Sequence, residues 1–186
     1  MNTHTVISKV DKKLVRLLWN SIKNDSQVNS IISDENQISL ASPQIFEIEP
    51  SKKLSLFLYQ ITEFSAMRNQ PNEDIKQDKK KPPPLYLTLH YLVTPNTQNT
   101  EKDHVLLGKI MRVFAENPII VAPQQQGSIS KDTTYMRILM NSLTVDELNK
   151  LWSILGMHYR LSVSYTMAPI KIEIKAIQKP RTVIER

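Results

Sequence analysis

Residues 79–95 read KKKPPPLYLTLHYLVTP, and the fold turns on how the second half of that stretch is read. Three prolines at 82–84 hold the backbone extended and forbid a helix. A strand therefore starts sharply at Leu85. Its alternate residues fall into two sets. Leu85, Leu87, Leu89, Tyr91 and Val93 make one face; Tyr86, Thr88, His90, Leu92 and Thr94 make the other. The first set is wholly apolar, and in the second Tyr86 and Leu92 stand among threonines and a histidine. The preceding apolar segment, LSLFLYQITEF (54–64), behaves alike, with Leu54, Leu56 and Leu58 on one face and Phe57, Tyr59 and Ile61 on the other. Strands apolar on both faces lie centrally in a sheet and are covered on both sides.

The covering layers are legible as helical periodicity. Val6, Val10, Leu14, Leu17 and Leu18 recur at helical spacing within residues 1–24, with Lys9, Lys12, Lys13, Arg16 and Lys23 on the opposite side. This predicts an amphipathic helix, about 20 residues long, that covers a sheet and presents a basic outer stripe. NTEKDHVLLGKIMRVFAENP (99–118) predicts a second helix, capped by Thr100 or Asp103, with Leu106, Ile110, Val113 and Phe114 inward. Thr144 and Glu147 have capping-box spacing, which starts a third helix with Leu148, Leu151, Trp152 and Leu155 as its buried stripe and Gly156 at its end.

Further strands are expected at Ile45–Ile48 between Pro43 and Pro50, at the start of IIVAP, at YMRILMN (135–141), and in RLSVSYTMAPIKIEIKA (160–176) as two half-exposed strands or one bent strand. NQPNEDIKQDKKKPPP (69–84) is charged and proline-rich. The expectation is an exposed, flexible loop over 70–84 that is dispensable for folding. The fold class is α/β in the broad sense (α+β): one domain over 1–177, with a mixed, mostly antiparallel sheet flanked by about three helices, and a basic tail at 178–186.

Composition narrows the function. The chain has 186 residues and no cysteine. That excludes a disulfide scaffold, a thiolate metal site and a cysteine nucleophile. Three glycines, Gly108, Gly127 and Gly156, cannot build a phosphate-binding loop or a dinucleotide fingerprint. The histidines, His4, His90, His104 and His158, lack metal-binding spacing. No cofactor is expected. His90 reads as a packed, hydrogen-bonded residue, and His158 as a cation near helix-end carbonyls. Ser162 and Ser164 lie on a regular strand, away from any nucleophile elbow. Glu63 near Arg68 reads as an ion pair. No apolar run approaches the roughly 20 residues a membrane helix needs. Lysines inside the N-terminal apolar pattern argue against a signal peptide. Cytoplasmic synthesis is the expectation.

The formal net charge is +6, and it is unevenly placed. Residues 1–24 carry net +4, residues 171–186 net +3 and the middle net −1. Basic ends serve solubility, or they act as arms that touch an acidic protein or a polyanion. The interface candidates are therefore Lys9, Lys12, Lys13 and Arg16 on the helix and Lys171, Lys175, Lys179, Arg181 and Arg186 near the C-terminus.

Four stretches together resemble one family: LSLFLYQITEFSAMRN (54–69), PPLYLTLHYLVTP (83–95), LLGKIMRVFAENPII (106–120) and LTVDELNKLWSILGMHYRLSVSY (143–165). In order and spacing they are similar to the tail-terminator, or cap, proteins of contractile injection systems. The resemblance covers about residues 50–168. It implies a compact α/β domain that forms a homo-hexameric ring, ends growth of the inner tube and fixes the last sheath layer. Inner-tube and sheath proteins are then the partners, and the mature location is an assembled contractile particle. The resemblance carries over no catalytic residues. The alternative from the charge pattern is a nucleic-acid-binding module using the basic helix and tail, which would bind with steep salt dependence.

Overall fold

The computed structural model describes residues 5–67, 73–76, 79–121, 135–174 and 177–178. In chain order the elements are helix α1 (Val6–Ile22), the one-turn helix α2 (Ser26–Asn29), a 3-10 turn at Glu35–Gln37, strand β1 (Ile38–Ser39) and the one-turn helix α3 (Ile45–Ile48). Next come β2 (Leu54–Glu63), a 3-10 turn at Ser65–Met67, β3 (Glu73–Lys76), β4 (Lys79–Lys81), β5 (Leu85–Pro95) and α4 (Thr100–Glu116). The remainder is β6 (Ile119–Val121), β7 (Tyr135–Asn141), α5 (Val145–Ile154), β8 (Val163–Ile172) and β9 (Ile177–Gln178).

The strand after the prolines begins at Leu85, as the sequence requires, and lies inside a six-stranded sheet of order β1-β2-β5-β8-β7-β6. Only β1 and β2 run parallel; every other pair in this sheet is antiparallel. Both faces of the central strands are covered. On one face, α1 and α4 bring Leu14, Leu18, Ile110 and Val113 against Leu54, Leu56, Leu89 and Tyr91. On the other, α5 brings Trp152 and Leu155 against Leu92, with Phe57 and Tyr59 packed beside them. Each fully buried aliphatic side chain contributes about 1.5–3 kcal/mol. The two-sided pattern of β2 and β5 thus reflects two separate apolar clusters.

Pro169 lies at a bulge in β8. The register passes from Leu89↔Met167 to Leu87↔Ile170, so Ala168 and Pro169 together oppose a single residue of β5. Such a bulge absorbs a residue that cannot donate to the ladder. The sequence left open two strands or one bent strand; it is one strand.

Helix ends follow side-chain capping. Thr144 and Glu147 form the predicted capping box, with Thr144 N–H donating to Glu147 Oε2 at 2.8 Å and Glu147 N–H donating to Thr144 Oγ1 at 3.3 Å. Gly156 follows α5 with φ +64°, a conformation that costs glycine nothing. At α4 the cap differs from the expected Thr100 or Asp103. Asn99, in extended backbone, accepts from Lys102 N–H at 3.0 Å, and Thr100 is already helical. Asp103 instead accepts from Thr97 N–H and Thr97 Oγ1, each at 2.7 Å.

Three expectations are corrected. Ile45–Ile48 is a helical turn and not a strand. Pro43 pre-sets a helical φ, and Ser42 and Pro43 carbonyls accept from Ile45 and Phe46. The three expected helices are α1, α4 and α5, and among the described residues the one-turn helices α2 and α3 are added to them. The stretch expected as a loop at 70–84 carries β3 and β4, which join β9 in a three-stranded sheet with Lys79↔Gln178 and Lys80↔Ile177. These short strands carry no apolar alternation, so periodicity cannot reveal their pairing. The pairing also moves the boundary of the C-terminal tail, because Gln178 belongs to a strand.

A three-stranded ladder this short adds little to global stability. Shortening Gln70–Lys81 to a few Gly and Ser residues should lower stability by no more than about 1 kcal/mol, since closure cost changes slowly with loop length. Urea unfolding of the two chains would show it. A drop several times larger would mean that this sheet is part of the cooperative core.

Candidate assembly surface

Lys9, Lys12, Lys13 and Arg16 recur at i, i+3, i+4 and i+7 of α1, so one helical face carries all four. The opposite face, Val6, Val10, Leu14, Leu18 and Ile22, is buried. The helix is fixed in rotation by that apolar stripe and by one internal hydrogen bond. Tyr91 Oη, from the centre of β5, donates to Asp11 Oδ1 at 2.7 Å. Burial raises the Asp11 carboxyl above its usual value, partly offset by this hydrogen bond. Burial, helped by the Asp11 charge, also pushes the Tyr91 hydroxyl up.

The sign of the Asp11 shift makes a prediction. A carboxyl raised in the folded state favours its neutral form there. Its stabilising contribution is complete below the unfolded value near 3.8 and is lost as pH rises through the higher folded value. Asp11→Asn keeps an acceptor for Tyr91 and cannot ionise. The variant should therefore gain on the parent between acid and neutral pH, by less than about 1 kcal/mol after solvent screening. Urea midpoints of both proteins at several pH values measure the difference. A difference independent of pH would contradict this account.

The four basic residues line a groove of about 570 Å³ together with Leu17 and Asn20. Lys12 and Arg16 are exposed; Lys9 and Lys13 are half-buried. Lys13 Nζ donates to the Val121 carbonyl of β6, so the groove reaches the outer edge of the sheet. Lys171, on β8, is half-buried and lies 3.5 Å from Glu173 Oε1. Lys175, Lys179, Arg181 and Arg186 lie outside the described residues, as does the Arg68 half of the expected pair with Glu63. The structure thus brings Lys9, Lys12, Lys13 and Arg16 together and leaves Lys171 on a different strand.

The residues weighed for catalysis have other employment. His90 Nε2 is 3.0 Å from Thr62 Oγ1, its ring lies 6.0 Å from that of Tyr59, and burial holds its pKa below the usual imidazole value. Ser164 is buried with its hydroxyl 3.0 Å from Tyr59 Oη and 3.4 Å from Asn141 Nδ2. His158 is exposed, and the Leu155 carbonyl at the end of α5 is taken by Gln44 Nε2 at 2.6 Å. Among the described residues, no group of three or more His, Cys, Asp or Glu side chains is placed to hold a metal ion. No helix among them is long and apolar enough to cross a membrane.

One surface was missed in the sequence reading. Residues 34–49 hold Asp34, Glu35, Glu47 and Glu49 and no basic residue. They flank β1, the strand at the other end of the sheet from β6. The charge run was legible; its place at the β1 edge was not, because that depends on strand order.

The α+β fold, with helices on both faces of a six-stranded sheet, has counterparts among terminators of contractile particles. The sheath/tube terminator of the extracellular contractile injection system PVC, in its extended state, superposes with a TM-score of 0.61 at 17% identity, over 97% of this chain and 62% of that one. The tube-terminating cap of the anti-feeding prophage superposes with a TM-score of 0.56 at 15% identity, over 97% of this chain and 59% of that one. This chain therefore spans about three fifths of the length of each. Among curated proteins none matches in sequence. Residues 9–186 match the Pvc16 N-terminal domain, and the chain belongs to that family.

Proposed function

We propose that this protein is a structural cap of a contractile injection system. It closes into a homo-hexameric ring on the inner tube, ends tube growth and anchors the last layer of sheath. The family match over 9–186 carries this reading, and the fold it shares with two terminators supports it. Closed rotational symmetry suits the task, because a ring leaves no unsatisfied contact from which a polymer could continue. The protein is made in the cytoplasm and ends as part of the assembled particle. Its working parts are surfaces, chiefly the α1 groove and the basic region from Lys171 onward.

Electron microscopy of the protein with its tube and sheath proteins tests the reading. The expected result is tubes of limited length with six-fold density at one end. Tubes that elongate without limit while the protein stays free in solution would overturn it. Retention on DNA that falls steeply with salt, without tube binding, would favour the nucleic-acid alternative.

A further inference from the structure

We propose that the α1 groove of one copy receives the acidic turn Glu47-Ile48-Glu49 of the next copy, an inference that rests on the ring reading above. The groove has an apolar floor at Leu17 and cationic walls at Lys9, Lys12, Lys13 and Arg16. At the end of α3, Ile48 is 76% exposed and stands between two exposed carboxylates. An aliphatic side chain flanked by acids is the chemical complement of an apolar floor flanked by bases.

The turn and the Lys13 end of the groove lie towards opposite edges of the sheet. α3 follows β1, and Lys13 is tied to β6; these strands are the opposite ends of the six-stranded sheet. Five strand spacings of about 4.8 Å put the edges about 24 Å apart. Two different patches on opposite edges make a head-to-tail contact, which closes into a ring when the rotation per copy divides a full turn. A strand-to-strand contact is disfavoured: β1 has two residues and β6 three, and Lys13 already occupies the Val121 carbonyl. Glu49 lies 3.4 Å from Lys52 of its own chain, a surface pair weak enough to be exchanged. Among the described residues, Lys9, Lys12 and Arg16 form no ion pair, so the charge of the groove is uncompensated.

Because the chain has no cysteine, placed cysteines report the contact directly. Asn20→Cys marks the groove and Ser51→Cys marks the acidic edge, and neither alters the proposed contact residues. Under mild oxidation each single variant should remain unlinked, a mixture of the two should give a linked dimer, and the double variant should give a ladder ending in a closed ring. Adding Glu47→Lys and Glu49→Lys should reduce linking by about tenfold at low salt. Adding Lys12→Glu and Arg16→Glu to that chain should restore it. Self-linking of either single variant, or no linking between the two in solution and on capped tubes, would overturn the inference. Tube capping is scored separately, so a cap that assembles by another contact is distinguished from a protein that is no cap.

Discussion

Trp152→Ala is expected to cost the fold about 3–5 kcal/mol, the range for truncating a buried large aromatic. Trp152 is 2% exposed and anchors the smaller apolar cluster with Leu92 and Leu155. Tyr59, Phe57, Leu151 and Met157 pack around it, and Tyr159 meets its ring edge-on at 6.0 Å. Removing the indole opens a cavity that α5, held at its start by the Thr144 capping box, cannot collapse to fill. Against a typical total of about 5–15 kcal/mol, such a loss is a large fraction. Two controls isolate the cause. Trp152→Phe keeps most of the apolar volume and removes an indole N–H that has no partner among the described residues, so it should cost clearly less. Val145→Ala, on the same helix but 85% exposed, should be near neutral. Urea unfolding followed by circular dichroism ranks all three. An alanine variant as stable as the parent would mean that α5 is not part of the cooperative core.

Lys12→Glu combined with Arg16→Glu should fold normally yet fail to cap particles. Both side chains are exposed, and surface changes of this kind stay within about 0.5 kcal/mol of neutral. Two charges change sign at the groove, a net change of four units, so the protein concentration needed to cap tubes should rise at least about tenfold at low salt, with the difference shrinking as salt is added. Reversing all four stripe residues would be a poorer design. Lys13 bonds the Val121 carbonyl and is half-buried, so its reversal would also disturb the β6 edge. Deleting the tail from residue 178 has the same fault, since Gln178 pairs with Lys79. Length distributions of tubes assembled with parent and variant are the measurement. Equal capping by a well-folded variant would place the contacts elsewhere on the molecule.

Much of this was open to reading from residues alone. The apolar alternation of Leu85–Thr94 and Leu54–Glu63 defined central strands, because a strand can be apolar on both sides only where both sides are covered. Val6, Val10, Leu14 and Leu18 defined α1 and, by exclusion, its basic face. Thr144 with Glu147 set the start of α5, since a capping box is a local bond between neighbours in sequence. Where local signals compete, the reading failed. Ile45–Ile48 reads as a short strand fenced by Pro43 and Pro50, but Pro43 and the Ser42 carbonyl start a helical turn. Asp103 has the chemistry of a cap, but Asn99 is the residue with extended backbone.

Which parts of the chain meet was decided only by the tertiary structure. The strand order puts β1 and β6 at opposite edges, and α1 reaches between them, bonded to β6 through Lys13 and packed on the turn Glu35–Gln37 beside β1. Tyr91 and Asp11 are 80 residues apart in sequence, and nothing local marks them as partners. The short strands β4 and β9 likewise pair across about a hundred residues of sequence, with no local signal that marks them as partners. Periodicity is a property of one element and its own burial. It specifies which face turns inward, and it is silent about which neighbour that face meets, because any apolar surface satisfies another equally well until packing and chain connectivity select one arrangement.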